Sequence, residues 1–161
     1  MKDLLFNQFQ QIINNSNEED LAVLSKWMDG FEKKQSGEMS TYINAGLHME
    51  KTLTEDFCKV SIPITPFIHN NLNTPHGGII ALLLDTAMGI LASHTLPENE
   101  AVVTTNLSIN YLATANEGHL HAQASTSHKG RQTIVTIGNV IDDGGKLLAI
   151  ATGSFFVIQR R

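Results

Sequence analysis

The chain has 161 residues and a mass of 17.6 kDa, which suits one compact domain with a full apolar core. Charged residues make up only 17%, below the roughly 25% of ordinary soluble domains, so part of the surface is expected to be hidden in a homo-oligomer. Acidic side chains outnumber basic ones 16 to 11, which argues against a nucleic-acid-binding domain and its basic footprint. The single Cys58 cannot form an internal disulfide and the sequence has no Cys/His zinc-finger spacing, so a reducing compartment fits. No secretory leader is apparent at the start, and the longest apolar stretch, Gly77 to Ser93, contains Asp85 and falls short of a membrane span. A cytoplasmic protein without membrane attachment is expected.

Leu5, Phe9, Ile12 and Ile13 recur at helical spacing before the polar break Asn14-Asn15-Ser16-Asn17. Ser16 followed by Glu19 has capping-box spacing and predicts a second helix, with an apolar stripe of Leu21, Leu24, Trp27, Met28 and Phe31. The polar stretch Lys33 to Ser40 reads as a linker, dividing a helical extension (residues 1–36) from a body (residues 37–161). The extension is expected to be an amphipathic hairpin packed on the body or on a partner subunit, with a regulatory or ligand-gating role as the alternative. From Thr41 the period falls to two. Val60, Ile62 and Ile64 predict a half-buried strand, which Pro63 would confine to an edge or a bulge. After the polar loop His69 to Pro75 comes the apolar segment Gly77 to Ser93. Four strand-like runs follow, Val102 to Leu112, His119 to Ser127, Gln132 to Ile141 and Leu147 to Ile158, with turn-formers between them. Short breaks between consecutive strands predict an antiparallel meander, and one long helix with it makes an α+β domain.

The helix is apolar nearly all round, so a sheet must wrap it. Its one ionisable side chain, Asp85, then lies in or at the edge of a low-dielectric interior, where a carboxylate can serve as a base or simply bond a neighbouring element. His76-Gly77-Gly78 opens the helix with two residues lacking Cβ, and first-turn amides have no helical partner. Such amides can hold an anion or a developing oxyanion, although a Gly-Gly pair also serves packing and turns. His76 and Asp85 would lie roughly 13 Å apart on opposite sides of one helix. A shared site therefore needs Asp85 from a second, twofold-related chain.

The segment Asn70-Asn71-Leu72-Asn73-Thr74-Pro75-His76-Gly77-Gly78 followed by Asp85 resembles the hotdog-fold acyl-CoA thioesterases of the phenylacetyl-CoA thioesterase type. The run Val103 to Leu112, then Lys129-Gly130-Arg131 and Ala151 to Val157, extends the likeness over residues 40 to 158. The resemblance implies a helix wrapped in an antiparallel sheet, dimers and dimers of dimers, and active sites at the dimer interface. It implies hydrolysis of an acyl-CoA to free acid and CoA with neither metal nor cofactor. By matching position, the Gly77 amide would polarise the thioester carbonyl and Asn70 would orient that carbonyl or the water. Asp85 of the facing subunit would be base or nucleophile, Thr104 would help hold the water, His76 would shape the site, and Gly78 would contact the substrate. Asn73 stands where the family often has Gly, and Asn tolerates the left-handed backbone that such a position requires. His128, Lys129 and Arg131 cluster at a hairpin and read either as an ordinary charged turn or as a site for the phosphates of CoA. His119 and His121 share one strand face, with a solvated face as the simplest reading and metal ligation as the other. Cys58 is expected to be a buried thiol. Alternatives to the thioesterase are a hotdog dehydratase or hydratase, a non-catalytic acyl-CoA-binding protein on the same fold, and a structural dimerisation domain.

Overall fold

The computed structural model describes residues 1–160, so Arg161, expected with Arg160 to be a frayed end, lies outside the described residues. The chain forms two compact units, Met1–His48 with Thr65–Phe67, and residues 49–64 with 68 onward.

The first unit is helical. Helix α1 spans Lys2–Asn15 and buries no residue fully. Helix α2 spans Glu18–Ser36 and begins at a capping box, but one residue later than the sequence spacing predicts. The cap is Asn17, whose Oδ1 accepts from the Asp20 amide at 2.9 Å while the Asp20 carboxylate accepts from Asn17 N at 3.1 Å. Ser16 instead closes α1, its hydroxyl donating to the Ile12 carbonyl. The expected linker is helical as far as Ser36, where Gly37 supplies the left-handed terminus. Phe9, Ile13, Leu21, Leu24 and Met28 line an open groove of about 460 Å³ between α1 and α2. A short helix, α3 (Tyr42–Gly46), occupies the stretch where two-residue periodicity was expected.

The second unit is an antiparallel sheet wrapped around one helix, the hotdog arrangement. Its strands are β1 (Glu50–Leu53), β2 (Phe57–Pro63), β3 (Glu100–Tyr111), β4 (His119–Lys129), β5 (Thr133–Ile141) and β6 (Leu147–Gln159), in the order β1-β2-β4-β5-β6-β3. The four-strand meander is therefore only β4-β5-β6, and β3 crosses over to the far side of β6. Strand β2 lies inside the sheet rather than at its edge. Pro63 is tolerated because β1 pairs with Cys58 to Ser61 only, leaving Pro63 unpaired on that side. Arg160 is not frayed: its backbone N–H donates to the Asn99 carbonyl and its Nε to the Glu100 carbonyl at 2.8 Å.

Helix α4 (Gly77–His94) fills the sheet, burying Ile80, Leu83, Leu84, Ala87, Met88, Leu91 and Ala92. Its length and hydropathy would suit a membrane span, yet the sheet supplies its wrapping. Alternate strand residues face it, among them Cys58, Val60, Ile62, Leu120, Ala122, Ile134, Val140, Ala149 and Phe155, all about fully buried. Two glycines bring the sheet close to the helix. A Cβ at Gly138 would lie 2.9 Å from Met88 Sδ, and one at Gly153 would lie 2.5 Å from Met88 Cε. Cys58 is the expected buried thiol, and burial pushes its pKa up.

Candidate active site

The loop before α4 is built around Asn70. Its Oδ1 accepts from the Leu72 amide at 2.8 Å, the Thr74 amide at 3.4 Å and the Thr74 hydroxyl at 3.2 Å. The Asn70 amide donates to the Thr74 carbonyl, closing the turn, and Asn73 takes the left-handed conformation at φ 55°. Asparagine thus meets the backbone requirement at the position where glycine was expected. With the side-chain oxygen engaged in the loop, the Nδ2 amide is what Asn70 has left to offer a ligand.

The start of α4 follows directly. His76 is the N-cap: its amide donates to the Ile68 carbonyl, and its Nδ1 accepts from the Gly78 amide at 2.9 Å. The ring proton is therefore on the exposed Nε2. The Ile79 amide donates to the His76 carbonyl. Of the first-turn amides, Gly77 alone has no partner among the described residues. Gly78 thus contributes no donor to a ligand. Its role is steric, since a Cβ there would sit 3.0 Å from His76 Nδ1 and displace the cap. Tyr111, at the end of β3, completes this pole: its hydroxyl donates to the Gly77 carbonyl at 3.0 Å. The sequence reading gave Tyr111 no role.

The second pole lies two turns along α4. Asp85 is half-buried, at the edge of the interior, and its Oδ1 accepts from the Thr104 hydroxyl at 2.8 Å. The pairing of β3 with β6 shifts register between Thr104 and Asn106, a bulge that leaves Thr105 bonded through its hydroxyl to the Ser154 carbonyl. Beside the carboxylate runs an open groove of about 480 Å³ whose walls include Leu53, Ile90, Val102 and Phe155. The Thr104 proton is committed to Asp85, so toward water this hydroxyl can only accept.

Gly77 and Asp85 are eight residues apart on one helix, which amounts to about 12 Å of rise. No single carbonyl can touch both within one chain. The basic hairpin belongs to neither pole. Lys129 Nζ donates to the Thr95 carbonyl at 2.6 Å, bracing the C-terminal end of α4, while His128 and Arg131 are exposed. The His119/His121 pair is more structured than a solvated face. Asp143, unnoticed in the sequence, accepts from His121 Nε2 at 2.8 Å and His119 Nδ1 at 3.3 Å, and Ser61 donates to His121 Nδ1. The His121 bond first, then that of His119, lowers the pKa of the Asp143 carboxyl.

Comparison with known proteins places this geometry in context. Residues 34–152 match a domain of unknown function, DUF4442. The 1,4-dihydroxy-2-naphthoyl-CoA hydrolase of Listeria monocytogenes is 28% identical over 63% of this chain and 83% of its own length. A Bacillus halodurans protein solved with CoA superposes at a TM-score of 0.89 with 38% identity, over 95% of this chain and 99% of that one. A Haemophilus influenzae thioesterase superposes at 0.72 with 22% identity, over 79% of this chain and 90% of that one, a likeness of fold.

Proposed function

The chain belongs to the DUF4442 family, and from that footing we propose that it is a thioesterase hydrolysing an acyl-CoA, with each site assembled from two copies of the chain. The observation that carries the proposal is the unpaired Gly77 N–H at the start of a helix whose other early amides are occupied. A lone backbone donor at the positive end of a helix suits a carbonyl oxygen that gains charge during attack. The hydrolase and CoA-bound relatives supply the substrate class.

In the proposed reaction the thioester carbonyl accepts from Gly77 N–H, and Asn70 Nδ2 orients that carbonyl or the water. Asp85 of the facing chain takes a proton from water as the oxygen attacks the carbonyl carbon. The tetrahedral intermediate collapses with cleavage of the C–S bond, and the proton passes to the departing CoA thiolate, leaving free acid and CoA. Attack by the Asp85 carboxylate itself, followed by hydrolysis of the anhydride, uses the same groups. Thr104 fixes the Asp85 rotamer, and His76 with Gly78 shapes the backbone that presents Gly77. His128 and Arg131, with Lys129 if it leaves Thr95, would meet the CoA phosphates. No metal or cofactor enters the scheme.

Strand β3 lies at an edge of the sheet and has unpaired backbone groups along twelve residues, which suits pairing with the same strand of a second copy. Ile137, Ile150 and Phe156 are exposed and supply an apolar face for joining dimers in pairs. We place the enzyme in the cytoplasm, where a lone reduced thiol such as Cys58 is at home. The test is release of free thiol from short, medium and aromatic acyl-CoAs. Turnover by wild-type protein that is lost in Asp85→Asn, with the oligomer intact, supports the proposal. An Asp85→Asn protein as active as wild type removes Asp85 from the mechanism.

A further inference from the structure

The two glycines that open α4 are the most mobile residues available for holding a hydrogen-bond donor in place. Yet a donor works on a transition state only if it is already aimed, because reorganisation at the moment of reaction consumes the gain. The helix start must therefore be braced, and the described contacts supply three braces. Two are local in sequence: the His76 amide on the Ile68 carbonyl, and the Gly78 amide on His76 Nδ1. The third comes from the sheet. Tyr111 lays its ring against Gly77, within 3.5 Å of where a Cβ would be, and its hydroxyl donates to the Gly77 carbonyl at 3.0 Å.

Strand β3 can reach both poles because of its bulge. Thr104 and Tyr111 are seven residues apart, an odd number that would put them on opposite faces of a regular strand. The register shift after Thr104 restores them to one face: Thr104 pairs with Phe155 and Tyr111 with Ala149, both buried toward α4. One strand thus holds the Asp85 carboxylate through Thr104 and the Gly77 carbonyl through Tyr111.

On the thioesterase reading above, we propose that Tyr111 is a positioning residue for the carbonyl-polarising amide: by holding the Gly77–Gly78 peptide through the Gly77 carbonyl, its hydroxyl limits rotation at the Gly77 Cα and so keeps the Gly77 N–H, in the preceding peptide, aimed at the substrate oxygen. Tyr111 acts through the backbone and exchanges no proton with substrate. Its loss therefore reduces kcat and leaves KM in place.

The experiment compares wild type with Tyr111→Phe in acyl-CoA hydrolysis and in amide-proton exchange by NMR at Gly78, the bonded N–H of the peptide whose carbonyl Tyr111 holds. A fall in kcat of about tenfold with KM within about twofold, and faster Gly78 exchange at an unchanged melting temperature, is the expected result. Installing 2,3,5-trifluorotyrosine at position 111 keeps shape and packing while making the phenol acidic. The kcat profile of that protein should fall as pH rises and the donor ionises, a limb that packing alone would not produce. This second variant decides the matter if Tyr111→Phe folds poorly. A Tyr111→Phe kcat within about twofold of wild type, a change confined to KM, or a trifluorotyrosine profile like the wild type's overturns the proposal. Wild-type protein inactive on every acyl-CoA would sink the thioesterase reading instead. The brace would then stand or fall on Gly78 exchange alone, and unchanged exchange in Tyr111→Phe would refute it.

Discussion

The two poles of the site are built from different materials. At Asp85 the group proposed to act is a side chain, held by another side chain, Thr104, across 2.8 Å. At Gly77 it is a peptide N–H, presented by a loop wound on Asn70, capped by His76 and braced by Tyr111. A side-chain pole can be erased by one substitution that leaves the fold alone. A backbone pole has no such handle, because the donor survives any replacement and only its aim can be disturbed. The contrast explains why the Gly77 pole needs many supports and the Asp85 pole only one.

Substitution should expose that asymmetry. Asp85→Asn keeps the shape and removes the base, so thiol release should fall by about 100-fold or more, within the range of general-base catalysis. Mixing Asp85→Asn chains with Asn70→Ala chains sharpens the comparison. Each mixed dimer would unite one intact loop pole with one intact carboxylate, restoring about a quarter of wild-type activity at statistical exchange. Activity that stays at the level of the parents after confirmed exchange would mean that each chain works alone. Thr104→Val removes the one hydrogen bond that Asp85 receives among the described residues and should lower kcat about tenfold, the worth of one hydrogen bond to a charged group. Kinetics equal to wild type would show that Asp85 needs no support. The smallest effect lies away from both poles. Asp143 has its carboxyl pKa lowered by its histidine partners, so its contribution to stability is present above the ordinary carboxylate range and lost as pH falls through the lowered value. Asp143→Asn should melt slightly below wild type at neutral pH, and the gap should close on acidification. A gap that widens in acid would contradict the assignment.

Much of the candidate site was legible as local pattern because its signals lie close together in sequence. Asn70, His76, Gly77 and Gly78 lie within nine residues, and Asp85 is the only charge on an otherwise apolar helix. Contacts that depend on register were not legible. Tyr111 stayed hidden because strict alternation sets it opposite Thr104, and the bulge that reverses this leaves no residue signature. Asp143 reads as one of several turn formers until the pairing of β4 with β5, which sets His121 opposite Ile141, brings the next turn beside His119 and His121. Gly78 looked like part of a ligand cradle, but its amide is occupied by a histidine two residues back. The offset at α2 has a similar cause: Ser16-x-x-Glu19 and Asn17-x-x-Asp20 are both plausible caps, and α1 captured Ser16 for its own last turn.

What the sequence determined by itself is the set of elements and the chemistry available. Periodicities of two and 3.6 residues mark strands and helices through burial of one face, and a helix apolar all round requires a sheet to wrap it. Tertiary structure decided which donors remain free and which strand reaches both poles. Those outcomes follow from strand order, a single extra residue in β3 and competition among neighbouring groups for the same hydrogen bonds, all of which arise only once distant segments are brought together.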